Sequence, residues 1–385
     1  MNILFITTDW NTPYRIATNE YGGVGYYRAH APAKALRAKG HNVKVLGADF
    51  SKLIDKDDIF GSYKNVFKDY DLVVVKQADT ANAGKLIGAC KELRIPIAMD
   101  LDDLITDVDP DNPAIEKGYQ KGGAKMALAC SALSMCDALF TTTEPLAKEY
   151  KKFLKDTFKV NMKTFVLPNC CDQSLWSKQK KEYKQKTVIG WHGSITHDND
   201  LKIVFPAVKN LMEKYPNLFF SLTGGVRQET YDKVIAQEFN QSQLDRIMVL
   251  EGTQSYKDFP QYMARHEWDI AIAPLRDTKF SRGKSHIKWL EYSLLGVPTI
   301  ASDVYPYKES ILGTEVINHN KTGILVKDNE WEDALESLIK EPKKGRYIAR
   351  DARKFVLENW QYKNHIDKWE EAFASVIKAG SKDLK

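Results

Sequence analysis

The sequence is short of cysteine, of long apolar runs and of charge bias, and each shortage removes a class of protein. Its five cysteines, Cys90, Cys130, Cys136, Cys170 and Cys171, are odd in number and show no CxxC spacing. That argues against a disulfide framework or a zinc knuckle and predicts a reducing, cytoplasmic setting. No stretch approaches the ~18 consecutive apolar residues of a membrane-spanning helix, and the opening Met1-Asn2-Ile3-Leu4-Phe5-Ile6 lacks the basic region and apolar core of a leader. A transmembrane segment is therefore not predicted. Low-complexity segments and solenoid repeats are missing too. The formal charge of +5 on 385 residues is mild, and no dense Lys/Arg stripe with interleaved aromatics is present, which weighs against nucleic acid as the main partner. Local clusters such as Lys178-Gln179-Lys180-Lys181 and Lys343-Lys344-Gly345-Arg346 read as solvated surface, with an anionic partner as the alternative.

What is present suits a two-domain globular chain. The apolar fraction of 43% is enough to bury a core, yet single cores stop growing at roughly 250–300 residues, so two are expected. Continuous apolar runs at 3–7, 43–46, 72–75, 95–99, 138–140 and 165–167 alternate with helical patterns at 29–36, 83–93, 124–135 and from Glu144 to near Lys155. Such runs suit strands buried on both faces, and the alternation predicts a doubly wound parallel sheet. A polar, basic stretch at 178–186 has no apolar periodicity. After it the alternation resumes, with strands at 188–191, 218–222, 248–250, 270–274, 298–301 and 323–326 and helices at 200–215 and 285–295. The expected organisation is an acceptor-side Rossmann-like domain over 1–175, a linker over 176–186, and a second, donor-binding Rossmann-like domain over 187–358. A C-terminal amphipathic helix over 359–385, bearing Trp360, Ile366, Trp369, Phe373 and Val376, is suited to pack back on the first domain.

Ligands of open parallel sheets bind at the carboxyl ends of strands, and four places there carry chemistry. Tyr21-Gly22-Gly23-Val24-Gly25 precedes a helix, and its glycines would let backbone N–H groups approach an anion. The spacing is not that of the dinucleotide fingerprint, and a plain flexible loop is the competing reading. Gly190-Trp191-His192-Gly193-Ser194-Ile195-Thr196-His197 again runs from strand to helix through small, donor-rich residues, with Asp198 or Asp200 as cap. The third segment runs from Lys284-Ser285-His286-Ile287-Lys288 through Trp289-Leu290-Glu291-Tyr292 to Gly296-Val297-Pro298. Helical spacing places Lys284, Lys288 and Glu291 on one face. A cation there would neutralise a diphosphate, and a carboxylate would accept ribose hydroxyls.

Lys288 to Tyr292, continuing through Gly296 to Asp303, resembles the donor-binding segment of the family-four retaining glycosyltransferases, the glycosyl transferases group 1. Gly22-Gly23, the Gly190 to Ser194 turn, Gly224-Gly225 and Gly323 to Val326 are similar to landmarks of that family in the same order. The resemblance implies a GT-B fold, in which two tandem Rossmann-like domains face a central cleft. It also implies transfer of a sugar from a nucleotide donor such as a UDP- or GDP-sugar, with retention, without a metal and without a cofactor. Donor contacts carry over to Gly22, Gly23, Gly193, Ser194, Gly224, Lys284, Ser285, Lys288 and Glu291. One departure stands out: the family's first glutamate, eight positions before Glu291, is here Gly283.

The fourth place is Asp100-Leu101-Asp102-Asp103, which follows the run at 95–99. Asp-x-Asp resembles the metal-binding motif of the other large glycosyltransferase fold, but donor phosphates in a tandem Rossmann chain are neutralised by lysine and helix ends. Asp100 or Asp102 lining the acceptor side of the cleft is the preferred reading, with a helix cap as the bland one. Lys288, Asp100 and Asp102 are the catalytic candidates. An inverting enzyme would need a base such as Asp100, Asp102 or His197. The expected acceptor is a glycan, a lipid-linked molecule or a small molecule. A modified nucleic acid base remains an alternative, as does a non-catalytic nucleotide-sugar-binding protein.

Overall fold

The computed structural model describes residues 1–7, 13–179, 185–194, 197–224, 231–253 and 255–380. Residues 180–184 of the expected linker, Gly225, Ile195 and Thr196 lie outside them, as do residues 381–385.

The first sheet has six strands: β1 Asn2–Ile6, β2 Asn42–Leu46, β3 Leu72–Lys76, β4 Ile97–Leu101, β5 Ala138–Thr141 and β6 Lys163–Val166. They lie in the order β2-β1-β3-β4-β5-β6. All pairs are parallel, with Ile3 opposite Val43 on one side and Leu72 on the other, and Met99 opposite Leu139. β3 and β4 are buried at every position, which is why their sequences read as continuous apolar runs rather than alternating ones. Parallel pairs need crossovers, and these include the helices Ala31–Ala38, Ile59–Phe67, Ala83–Glu92, Ala124–Met135 and Glu144–Phe158. The helix Ile59–Phe67 carries Ile59, Phe60, Tyr63, Val66 and Phe67 at helical spacing, and Asp58 starts it by accepting the Gly61 N–H at 2.9 Å.

The second sheet comprises β7 Thr187–Gly193, β8 Leu218–Gly224, β9 Ile247–Glu251, β10 Ile270–Ala273, β11 Thr299–Ser302 and β12 Ile324–Val326. Their order is β12-β11-β10-β7-β8-β9, again parallel throughout. The two doubly wound sheets form the GT-B arrangement. Each has a point where the chain reverses its winding direction, between β1 and β3 in the first sheet and between β7 and β10 in the second.

Three boundaries differ from expectation. β4 covers 97–101 rather than 95–99, because Pro96 has no N–H to give the ladder and only its carbonyl is used, by the Val73 N–H. Asp100 therefore lies within the strand, and only Asp102 and Asp103 follow it. The helix expected at 285–295 starts at Ile287 and stops where Gly296 takes a left-handed φ of 75°. The helix expected at 200–215 is two pieces, Asp198–Leu201 and Phe205–Lys214.

The last helix, Tyr362–Gly380, lies on the first sheet. The Phe373 ring is 5.9 Å from Phe5 and 5.3 Å from Phe140. One apolar cluster therefore runs from β1 and β3 through Trp369 and Trp360 to Trp289 and Leu290 of the second domain. No helix among the described residues is long and apolar enough to cross a membrane.

Candidate active site

A cavity of about 1040 Å³ opens between the domains at the carboxyl ends of both sheets. Gly22, Gly23, Tyr27, Asp102 and Asn169 line it from the first domain, and His192, Gly193, Ser194, Gly224, Tyr256 and Glu291 from the second.

The first wall begins at Gly22, which is extended, after which the chain turns into a helical run at Gly23. That run continues through a π turn at Tyr26–His30 into the helix Ala31–Ala38. The second wall is set by a pair of glycines at the ends of β7 and β8. Gly224 has φ +115°, and a Cβ there would stand 2.3 Å from the Gly193 carbonyl, so no side chain fits and the backbone itself faces the cavity.

Glu291 lies beneath this floor with its side chain 2% exposed. Its Oε1 accepts from the hydroxyl of Tyr27, in the first domain, at 2.9 Å and from that of Tyr256, in the second, at 2.8 Å. Its Oε2 is 2.8 Å from His192 Nε2, a close ionic contact that is not aligned as a hydrogen bond, and among the described residues neither atom makes one. A carboxylate oxygen has more than one lone pair, so Oε2 beside His192 can still accept a ligand hydroxyl.

One turn earlier, Lys288 sits behind the wall rather than in it, its Nζ 3.4 Å from His197 Nε2. Burial, with Lys284 nearby, outweighs the pull of Asp200, Glu291 and Asp103 and lowers its pKa to about 8. Lys284 is paired with Asp103 across the domains at 2.6 Å, and Ser285 Oγ accepts from Asn169 Nδ2 at 2.9 Å.

Each acid of the Asp100 to Asp103 cluster is matched to its own cation. Asp100 is 1% exposed and does not reach the cavity. Its oxygens are taken by Arg28, Nε to Oδ1 at 3.0 Å and Nη2 to Oδ2 at 2.6 Å. The cause is its place inside β4, on the face covered by Arg28, whose guanidinium also stacks 4.9 Å above the Trp369 ring. Asp102, past the strand end, does line the cavity and pairs with Lys76 at 2.7 Å. Burial alone would raise its pKa, but the charges of Lys76, Arg28 and Lys284 hold it below the ordinary value, so it stays ionised. Among the described residues no three His, Cys, Asp or Glu side chains converge as metal ligands.

Of the residues singled out from sequence, Gly22, Gly23, Gly193, Ser194, Gly224, Glu291 and Asp102 thus meet at one cavity. Lys288, Lys284 and Ser285 stand in the layer behind it, and Asp100 belongs to the first domain's interior. The sequence reading missed Tyr27, Arg28, Lys76 and Tyr256. Lys76 had a visible signal, a charge closing the apolar run Leu72-Val73-Val74-Val75. Tyr256 had none, because its role depends on a loop that crosses to the first domain, where its N–H reaches the Tyr21 carbonyl at 2.8 Å.

Residues 172–355 match the model of the family described as glycosyl transferases group 1. The sequence has no match among curated proteins. Among solved structures, the HepE protein of Anabaena in complex with UDP and glucose aligns with a TM-score of 0.67 at 14% identity, over 97% of this chain and 100% of that one. Sucrose-phosphate synthase from Thermosynechococcus elongatus gives 0.67 at 13% identity, over 98% and 100%. A glycosyltransferase from Rickettsia africae gives 0.60 at 14% identity, over 98% and 99%. At these identities the likeness shows the fold.

Proposed function

Since the chain is a glycosyltransferase with the GT-B fold, we propose that it moves a sugar from a UDP-sugar to an acceptor entering from the first domain, with retention and without a metal. The observation that carries this reading is the buried Glu291 carboxylate, with one oxygen held by two tyrosines and the other beside His192 without a hydrogen bond among the described residues, under a cavity floored by Gly193 and Gly224. The solved HepE relative, bound to UDP and glucose, makes uridine the first base to test.

In this reading the nucleotide's ribose hydroxyl donates to Glu291 Oε2. The diphosphate lies against the N–H group of Gly23, at a helix start, and against the small-residue turn Gly193-Ser194 that ends β7. The ammonium of Lys288 behind them balances the charge that grows on the leaving group as the glycosidic bond breaks. The ionised Asp102 faces the other side of the cavity, where an oxocarbenium-like sugar gains from a negative charge. The acceptor hydroxyl attacks the face from which the diphosphate departs and passes its proton to a phosphate oxygen, so no protein nucleophile is needed. Retention fits an Asp102 whose lowered pKa makes it a weak base. Metal independence fits an acid cluster already matched by Arg28, Lys76 and Lys284. Cytoplasmic placement fits five cysteines that are all buried and unpaired. A glycan, a lipid-linked molecule or a small molecule is the proposed acceptor class.

The test is UDP release from a panel of nucleotide sugars, with and without EDTA, followed by the product's anomeric configuration by NMR. Lys288→Ala and Glu291→Ala are each expected to lower turnover by at least ~10²-fold, the scale of losing a charge-assisted contact to the reacting groups. Wild-type rates in folded variants would remove this helix from the site.

A further inference from the structure

We infer that Asp200 and His197 form a holder for Lys288. The carboxylate fixes the imidazole so that its Nε2 lone pair faces the lysine amine and sets where that amine points. The inference rests on the proposed role of Lys288 toward the donor diphosphate and adds the residues through which that role is exerted.

The geometry is short and closed. His197 Nδ1 is 2.8 Å from Asp200 Oδ2, and a carboxylate only accepts, so the proton is on Nδ1 and Nε2 is left as an acceptor. Among the described residues Nε2 meets Lys288 Nζ at 3.4 Å, and an ammonium only donates. The opposite tautomer, or an imidazolium, would set N–H against N–H. Burial and the charges of Lys288 and Lys284 push the His197 pKa down to about 4 despite Asp200, so the ring is neutral at working pH.

Asp200 is itself fixed from a second side. Its Oδ1 accepts the Arg276 backbone N–H at 3.0 Å, and the Arg276 guanidinium grips Asp111 of the first domain with two contacts of 2.8 and 2.9 Å. The holder thus ties the turn after β7 to the loop after β10, the two segments that meet at the second sheet's winding reversal. Asp200 and His197 touch neither the cavity nor the expected ligand and act through Lys288, so they are positioning residues.

The charged groups facing Lys288 are Asp200, Lys284, Glu291 and Asp103, and with burial they leave its pKa near 8. The amine is charged below that pH and loses its proton above it, so diphosphate affinity should be flat at pH 6–7 and fall above pH 8. Asp200→Asn removes a favourable charge and lets the new amide donate to Nδ1, turning an Nε2–H toward the amine. Both effects move the limb to lower pH. His197→Ala removes both a neighbour that shields the amine from water and the Nε2 acceptor that favours its charged form, two effects of opposite sign on the limb, while the amine loses its anchor. His197→Gln keeps an acceptor and should restore most of the affinity.

The experiment is calorimetric titration with UDP from pH 6 to 9.5 on the full chain carrying Lys288→Ala, Asp200→Asn, His197→Ala or His197→Gln. Asp200→Asn and His197→Ala are expected to weaken UDP by about 10- to 100-fold, the scale seen when an orienting partner is removed, with the Asp200→Asn limb displaced to lower pH. Variants that bind UDP like the wild type, or an Asp200→Asn limb that stays in place while Lys288→Ala is impaired, would overturn the holder and leave the Lys288 reading standing. Lys288→Ala with wild-type affinity, or a wild-type chain that ignores UDP, would remove both. If Asp200→Asn fails to fold, the His197 pair alone decides.

Discussion

Asp100 and Asp102 are two residues apart in sequence, and their removal should have opposite consequences. Asp100→Ala leaves Arg28 buried with three of its contacts to that carboxylate gone, although Nη1 keeps the Leu167 carbonyl at 2.6 Å and Asn169 Oδ1 at 3.0 Å. Removing one partner of a buried pair costs about 3–5 kcal/mol, because the surviving charge is uncompensated. At roughly 2–4 °C per kcal/mol for a domain of this size, the first domain should melt about 6–20 °C lower. Replacing both partners by apolar residues, Asp100→Leu with Arg28→Met, should recover much of that loss, since the desolvation of both charges disappears together. Asp102→Asn keeps an amide oxygen for the buried Lys76, so it should shift the melt by less than Asp100→Ala does, and it should lower turnover. Circular dichroism melts, combined with UDP release per folded molecule well below the transition, separate the two effects. An Asp100→Ala variant that melts within about 2 °C of wild type while losing turnover would show that the strand position has been misjudged.

Other outcomes follow from the same packing. Tyr256→Phe removes a hydroxyl that donates to the buried Glu291 and should lower stability by about 1.5–3 kcal/mol, read from the urea midpoint. Trp369→Ala opens a hole between the last helix and Phe5, Phe373 and Arg28 and should cost about 3–5 kcal/mol. The seam beside the cavity is ionic and partly exposed: Arg276 meets Asp109 and Asp111, and Lys279 meets Asp107 and Glu149. Each such pair is worth at most about 1 kcal/mol and is screened over ~3 Å in 1 M salt. Small-angle scattering should therefore show a larger radius of gyration at 1 M salt than at low salt, and Arg276→Ala should reduce that difference. An unchanged radius in both would mean that the apolar cluster, not the seam, holds the domains together.

Strand and helix order, the parallel sheets and the cavity's three glycine turns were legible in the chain because they are local. Continuous apolar runs need burial on both faces, and a glycine such as Gly224 answers a backbone requirement that its neighbours impose. That Glu291 and Lys288 share one helix was legible for the same reason, since one helical turn sets their spacing. What the linear order could not settle was which charges would meet. Arg28 and Asp100 are 72 positions apart, and Tyr27 and Glu291 are 264 apart. Pro96 moved the strand start and carried Asp100 from the expected cleft into the interior. Whether a carboxylate is a neutralised core group or an open acceptor depends on the partner that the folded chain brings to it, and that partner comes from the other end of the sheet, the other domain or the returning C-terminal helix.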